Sequence, residues 1–124
     1  MGMVANKITS FEDLIVWQKS QDFAVSIYIT TKLFPKDEVF AIVSQLRRAA
    51  YSVSANIAEG FGRSTLNDKY HFYTMAYGSL LEVKNFLYLS QKLGYVSDET
   101  LNELLNQSVE CQKLLNSFKS KLKT

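Results

Sequence analysis

Three interruptions constrain the fold of this chain more than any other feature. Phe34-Pro35, the Gly60–Gly62 pair and Gly94 break an otherwise sustained helical periodicity. The residue before a proline is pushed out of the helical region, and a glycine just past the last turn is a common helix stop. Between the breaks, apolar and small residues recur at steps of three and four, the signature of a helix with one buried stripe. The stripes are Leu14, Trp17, Ala24, Ile27, Tyr28 and Thr31; then Val39, Val43, Leu46, Ala50, Val53 and Ile57; then Phe72, Ala76, Ser79, Val83, Phe86, Ser90 and Leu93; then Leu101, Leu104, Ser108, Cys111, Leu115, Phe118 and Leu122. The spacing predicts helices over 12–33, 37–60, 65–93 and 98–122. Ser64 is placed as the cap of the third helix, and Ser97 or Asp98 as that of the fourth. Connections this short make sequential helices antiparallel neighbours. The expected fold is all-α, an antiparallel up-down-up-down four-helix bundle forming a single domain over 11–124 behind a flexible N-terminus, 1–10.

Composition excludes several alternatives. One Pro and five Gly in 124 residues are too few for an all-β domain with many hairpins, and 47% apolar residues are enough for a real core. The formal net charge is +2, well short of a dedicated DNA-binding domain. A lone cysteine permits no internal disulfide, and no apolar run has signal-peptide or membrane-spanning length. A cytoplasmic protein without membrane contact is expected.

The residues that chemistry would need are sparse. His71 is the only histidine, whereas a di-iron bundle requires two Glu-x-x-His pairs. Cys111 falls in the fourth stripe, as a small core residue would. The segment EGFGRST lacks the spacing of a nucleotide-binding loop. Neither catalytic residues, a metal nor a cofactor is expected.

Two features exceed what a simple bundle requires. The third helix is apolar on more than one side, with Tyr70, Tyr73, Tyr77 and Tyr88 beside its stripe. Either the core contact is wide or these tyrosines form a subunit interface, where such residues are enriched. In the second helix, Arg48, Ser52, Asn56 and Glu59 form a polar stripe beside the apolar one, facing Ser79 and Glu82 of the third. The reading is a buried polar network that fixes helix register, with a ligand site as the alternative. A truly buried arginine–carboxylate pair would cost about 3–5 kcal/mol to break. Arg47, Arg63, Lys113, Lys119, Lys121 and Lys123 are the candidate nucleic-acid contacts. The lysines near the C-terminus also suit a helix dipole alone.

Three segments carry a resemblance: FEDLIVWQKS, LFPKDEVFAIVSQLRRAAYSVSANIAEGFGRS and FYTMAYGSLLEVKNFLYLSQKLGYVS. Together, in this order, they resemble the four-helix-bundle family of 23S rRNA intervening-sequence proteins. A related bundle is the accessory protein of diversity-generating retroelements, which works with a reverse transcriptase and nucleic acid. The resemblance implies a left-handed bundle assembled with copies of itself into a homopentameric ring. It implies no established biochemical role. The expected function is thus a self-assembling, non-enzymatic scaffold; the alternative is a protein that contacts RNA, or a nucleic-acid-processing partner, through basic patches of the oligomer.

Overall fold

The computed structural model describes residues 7–123, with side chains up to Leu122. Residues 1–6 of the expected flexible N-terminus, and the Lys123 side chain, lie outside the described residues. Four long helices account for the fold: α1 (Ile15–Thr31), α2 (Ser44–Phe61), α3 (Leu66–Lys92) and α4 (Asp98–Ser120). Among the described residues there is no strand, and no helix is long and apolar enough to cross a membrane.

Local chemistry sets the boundaries. Thr9 and Ser10 are held rather than loose: the Thr9 hydroxyl and both backbone N–H groups donate to the Asp13 carboxylate. These bonds hold the Asp13 carboxyl below its ordinary pKa. They enclose a 3-10 turn at Phe11–Asp13, so α1 begins three residues later than the periodicity suggests. Thr65, not Ser64, caps α3, its hydroxyl accepting from the Asp68 N–H at 3.1 Å. Ser97 caps α4 through the Thr100 N–H at 3.0 Å. At the end of α3, Gly94 takes φ +80°, Gly94 N–H donates to Gln91 O, and Tyr95 N–H to Ser90 O. This paired closure needs a residue tolerant of the left-handed region.

The second segment departs most from expectation. Residues Lys36–Glu38 form a 3-10 turn, and Val39–Val43 leads into α2 across a kink at Ala41, whose φ −119° and ψ −107° are not helical. The kink at Ala41 breaks the step of three and four. Val39, assigned to the buried stripe, is consequently turned outward, and Phe40 is 97% exposed. From Leu46 to Ile57 the stripe is buried as expected, widened by Ala49 and Ser54.

Gly60 does not stop α2. It lies inside the helix, and a Cβ there would sit 2.6 Å from Cε1 of Tyr73. Its missing side chain admits the Tyr73 ring, and α2 and α3 share the most extensive helix contact in the molecule. α1 packs on α2 and α4, and α3 packs on the same two helices, so the helices form a cycle. Pairings along it include Arg47 with Thr31, Gln21 with Ser54, Arg48 with Glu82, and Gln112 with Tyr77.

The core joins all four helices through Phe23, Ile27, Leu46, Val53, Ile57, Tyr73, Leu80, Leu87 and Leu115, among others. On α3 the buried face is Tyr73, Ala76, Leu80, Val83, Leu87 and Ser90. Phe72, Ser79 and Phe86, placed in the stripe, are half-buried at its margin, and Leu93 is exposed. On α1, Tyr28 is exposed while Ser20 and Phe23 are buried. The fourth stripe is buried or packed against the core throughout.

Candidate functional site

The polar stripe on α2 does not form a buried network. Arg48 Nη2 donates to the Glu82 carboxylate, but the two side chains remain 46% and 36% exposed. Asn56 Nδ2 donates to the Ser52 backbone carbonyl at 2.8 Å, within its own helix. Glu59 faces Arg63 at 3.4 Å, one helical turn further on, rather than Arg48. Ser79 makes no side-chain bond to any of them. Small residues let α2 and α3 approach so closely that long side chains are expelled to the rim of the contact. Among the six there is thus one surface ion pair, Arg48 with Glu82, and one local bond, Asn56 to Ser52, while Glu59 pairs outside the set with Arg63.

The cations are dispersed, and Arg47, Arg63 and Lys119 are engaged. Arg47 Nε donates to Thr31 Oγ1 at 2.9 Å, its Nη2 reaches Tyr28 O at 3.4 Å, and its guanidinium lies 4.6 Å from the Tyr28 ring centre. It thereby supplies donors and positive charge at the C-terminal end of α1. Arg63 stacks 4.5 Å from the Phe72 ring. Lys119 sits between Tyr70 and Tyr77, 5.2 and 5.3 Å from their centres. Lys113 borders an open groove of about 480 Å³ on α4 together with Glu103 and Glu110. Lys121 borders an apolar cavity of about 420 Å³ with Leu14, Val16 and Phe118.

The four tyrosines also separate. Tyr73 is only 1% exposed, stacked edge-on against Phe118 at 4.9 Å, and is core rather than interface. Burial pushes its hydroxyl up to about 12. Tyr77 is half-buried and accepts from Gln112 Nε2 at 3.0 Å; Tyr70 is half-buried beneath Lys119. Only Tyr88 faces outward. Burial pushes the Cys111 thiol up to about 11, so it is a protonated core group rather than a nucleophile. His71 is exposed beside Phe72, and the described residues contain no group of three or more His, Cys, Asp or Glu able to hold a metal.

The structure instead brings together residues that the spacing argument did not single out. Val25, Tyr28 and Ile29 lie on the outward side of α1, Leu33 follows in the turn at 87% exposure, and Val39 and Phe40 are exposed beside the kink before α2. A shallow groove of about 340 Å³ runs among Tyr28, Val39, Phe40, Arg47 and Tyr51. An almost fully solvated phenyl ring sharing a groove with Tyr28, Val39 and Tyr51 is more than the usual scatter of single surface hydrophobes. The signal was present in sequence as a second set of steps of three and four in α1, opposite the buried set. Counting Tyr28 with the core obscured it.

These features define a small helical-bundle protein with several large apolar side chains left exposed. A family model described as 23S rRNA-intervening sequence protein matches residues 12–117. The chain belongs to that family. A solved structure of a protein with unknown function from the S23 ribosomal protein family, from Bacteroides thetaiotaomicron VPI-5482, is similar, with 28% sequence identity and a TM-score of 0.76. The match covers 85% of this chain and 98% of that one. Comparison with curated proteins gives no match.

Proposed function

We propose that the chain is a non-enzymatic, cytoplasmic scaffold that assembles with copies of itself, each subunit being a left-handed antiparallel four-helix bundle. The bundle topology is supported by the helix pairings: Thr31 and Gln21 of α1 meet Arg47 and Ser54 of α2 in reversed order. Self-assembly is carried by one observation, the exposed apolar face headed by Phe40 and Leu33. Leaving such a face in water forgoes about 25 cal/mol for each Å² that a partner could cover. A homopentameric ring is the arrangement that the family resemblance implies. The protonated Cys111 and the scattered titratable groups favour a non-enzymatic role.

The alternative, contact with RNA through basic patches, has weaker support. Arg47, Arg63 and Lys119 are already stacked on aromatic rings, and Arg47 and Lys119 lie toward opposite ends of α2 and α4.

Sedimentation velocity across a dilution series tests the reading. The parent is expected to sediment as an oligomer, and Phe40→Asp, at a site making no core contact, as a folded monomer. A parent that sediments as a monomer at every concentration would overturn it.

A further inference from the structure

Local sequence and tertiary contact pull the start of the second segment in opposite directions. Pro35 suits the first turn of a helix, and Asp37 and Glu38 suit the charge of its N-terminus. Val39 and Val43 then extend the buried row of Leu46, Ala50 and Val53 by steps of four and three. Read alone, residues 36–61 encode one continuous helix. The structure breaks it at Ala41, where the backbone is not helical, and α2 proper starts only at Ser44.

The contacts that hold the break come from outside the segment. Gly94 closes α3, and the Tyr95 N–H that follows donates to Ser90 O at 2.9 Å, so Tyr95 projects from a fixed turn. Its ring packs 5.3 Å from that of buried Phe34, and its hydroxyl donates to the Glu38 carboxylate. Hydrogen bonds to an ionised acceptor are the stronger class. Among the described residues, no other side-chain hydrogen bond or ion pair tethers Lys36–Glu38 or Val39–Val43 to the rest of the molecule. Ile42 and Val43 are buried, but they lie on the α2 side of Ala41 and keep their places in the row whichever way the preceding residues turn. Val39 and Phe40, before the break, are exposed. One bond from the α3–α4 connection thus opposes the local preference for a straight helix, and an element with two competing arrangements is what a conformational switch requires.

We propose that the Tyr95–Glu38 bond is a releasable latch. Closed, it keeps the chain kinked at Ala41 and displays Phe40. Open, it lets α2 extend back across Ala41 by about two turns. Val39 then comes into line with Val43 and Leu46, and Phe40 into line with Ser44, Arg47 and Tyr51. A partner that grips Phe40 in its displayed position favours the closed state and biases the equilibrium toward it. The inference concerns the conformation of a single chain and does not depend on the self-assembly reading.

Tyr95→Phe tests this from a distance: it keeps the ring on Phe34, removes only the hydroxyl and leaves the sequence of the segment intact. Glu38→Met opens the latch from the other side with a residue of similar helix propensity. Gln91→Ala, which breaks the neighbouring bond to Asp98, is the control. Backbone carbon-13 shifts of Phe40 and Ala41 are read on deuterated protein, and a cooperative thermal transition shows that each variant is folded. The parent and Gln91→Ala should give non-helical shifts at Ala41. Both latch variants should move the Ala41 Cα downfield into the helical range and slow amide exchange from Phe40 to Val43. A folded latch variant that keeps the parent shifts overturns the proposal, as does a parent already helical at Ala41 or a Gln91→Ala chain that shifts equally. Should one latch variant fail to fold, the other decides.

Discussion

At the scale of single residues, burial decides which polar and small groups matter. Gly60 is required by a close approach rather than by a turn, because the Tyr73 ring occupies the space a Cβ would need. Gly60→Ala is expected to destabilise the fold by about 1–3 kcal/mol through overpacking, measured by urea denaturation. Arg48→Ala should cost no more than about 1 kcal/mol, because its pair with Glu82 is solvated; the same denaturation series reads it. The sequence had suggested a buried pair with a larger penalty, since the stripe itself does not reveal which side chains the close α2–α3 packing expels.

Burial also sets the alkaline limit of stability. Tyr73 and Cys111 are both held neutral by desolvation, so the fold favours their protonated forms. Their contribution is complete below the ordinary thiol value of 9.0. That of Cys111 is lost between 9.0 and about 11, and that of Tyr73 between 10.0 and about 12. Each such displacement is worth about 3 kcal/mol. The thermal midpoint, taken across alkaline buffers, should therefore begin to fall near pH 9, and Cys111→Ala should delay the onset of that fall.

At the scale of elements, the sequence was most legible where one stripe was apolar and its neighbours were polar. In α4, every residue assigned to the stripe is buried or packed on the core. In α3 two stripes about one residue apart are both apolar, and periodicity alone does not choose between Phe72, Ser79, Phe86 and Tyr73, Leu80, Leu87. The choice is made by Gly60, which opens a slot for Tyr73. The kink at Ala41 was illegible for a related reason: Val39 and Val43 continue the spacing of α2, and nothing in the step pattern marks the break that leaves Val39 exposed. The end of α3 was legible because its closure demands a positive φ. Gly94→Ala should cost about 1–2 kcal/mol, read by chemical denaturation.

At the scale of the whole molecule, the apolar residues exceed what one core can hold. Much of the surplus lies on the outer sides of α1 and α3, with Val39, Phe40 and Tyr51 adding to it at the start of α2. Half of this was legible as the two-sided apolarity of α3, although three of the four tyrosines chosen to represent it belong to the core or its margin. The exposed residues of α1 were hidden because they share a period with the buried stripe, and those beside Ala41 because the kink leaves no trace in the spacing. Covering the exposed apolar residues accounts for a bundle whose three arginines are engaged within the subunit and whose cysteine lies in the core. The most direct measurement of this account is a native mass spectrum of the unmodified chain at micromolar concentration. The account predicts a single dominant species at an integer multiple, greater than one, of 14.1 kDa. A spectrum containing only the single-chain mass would contradict it.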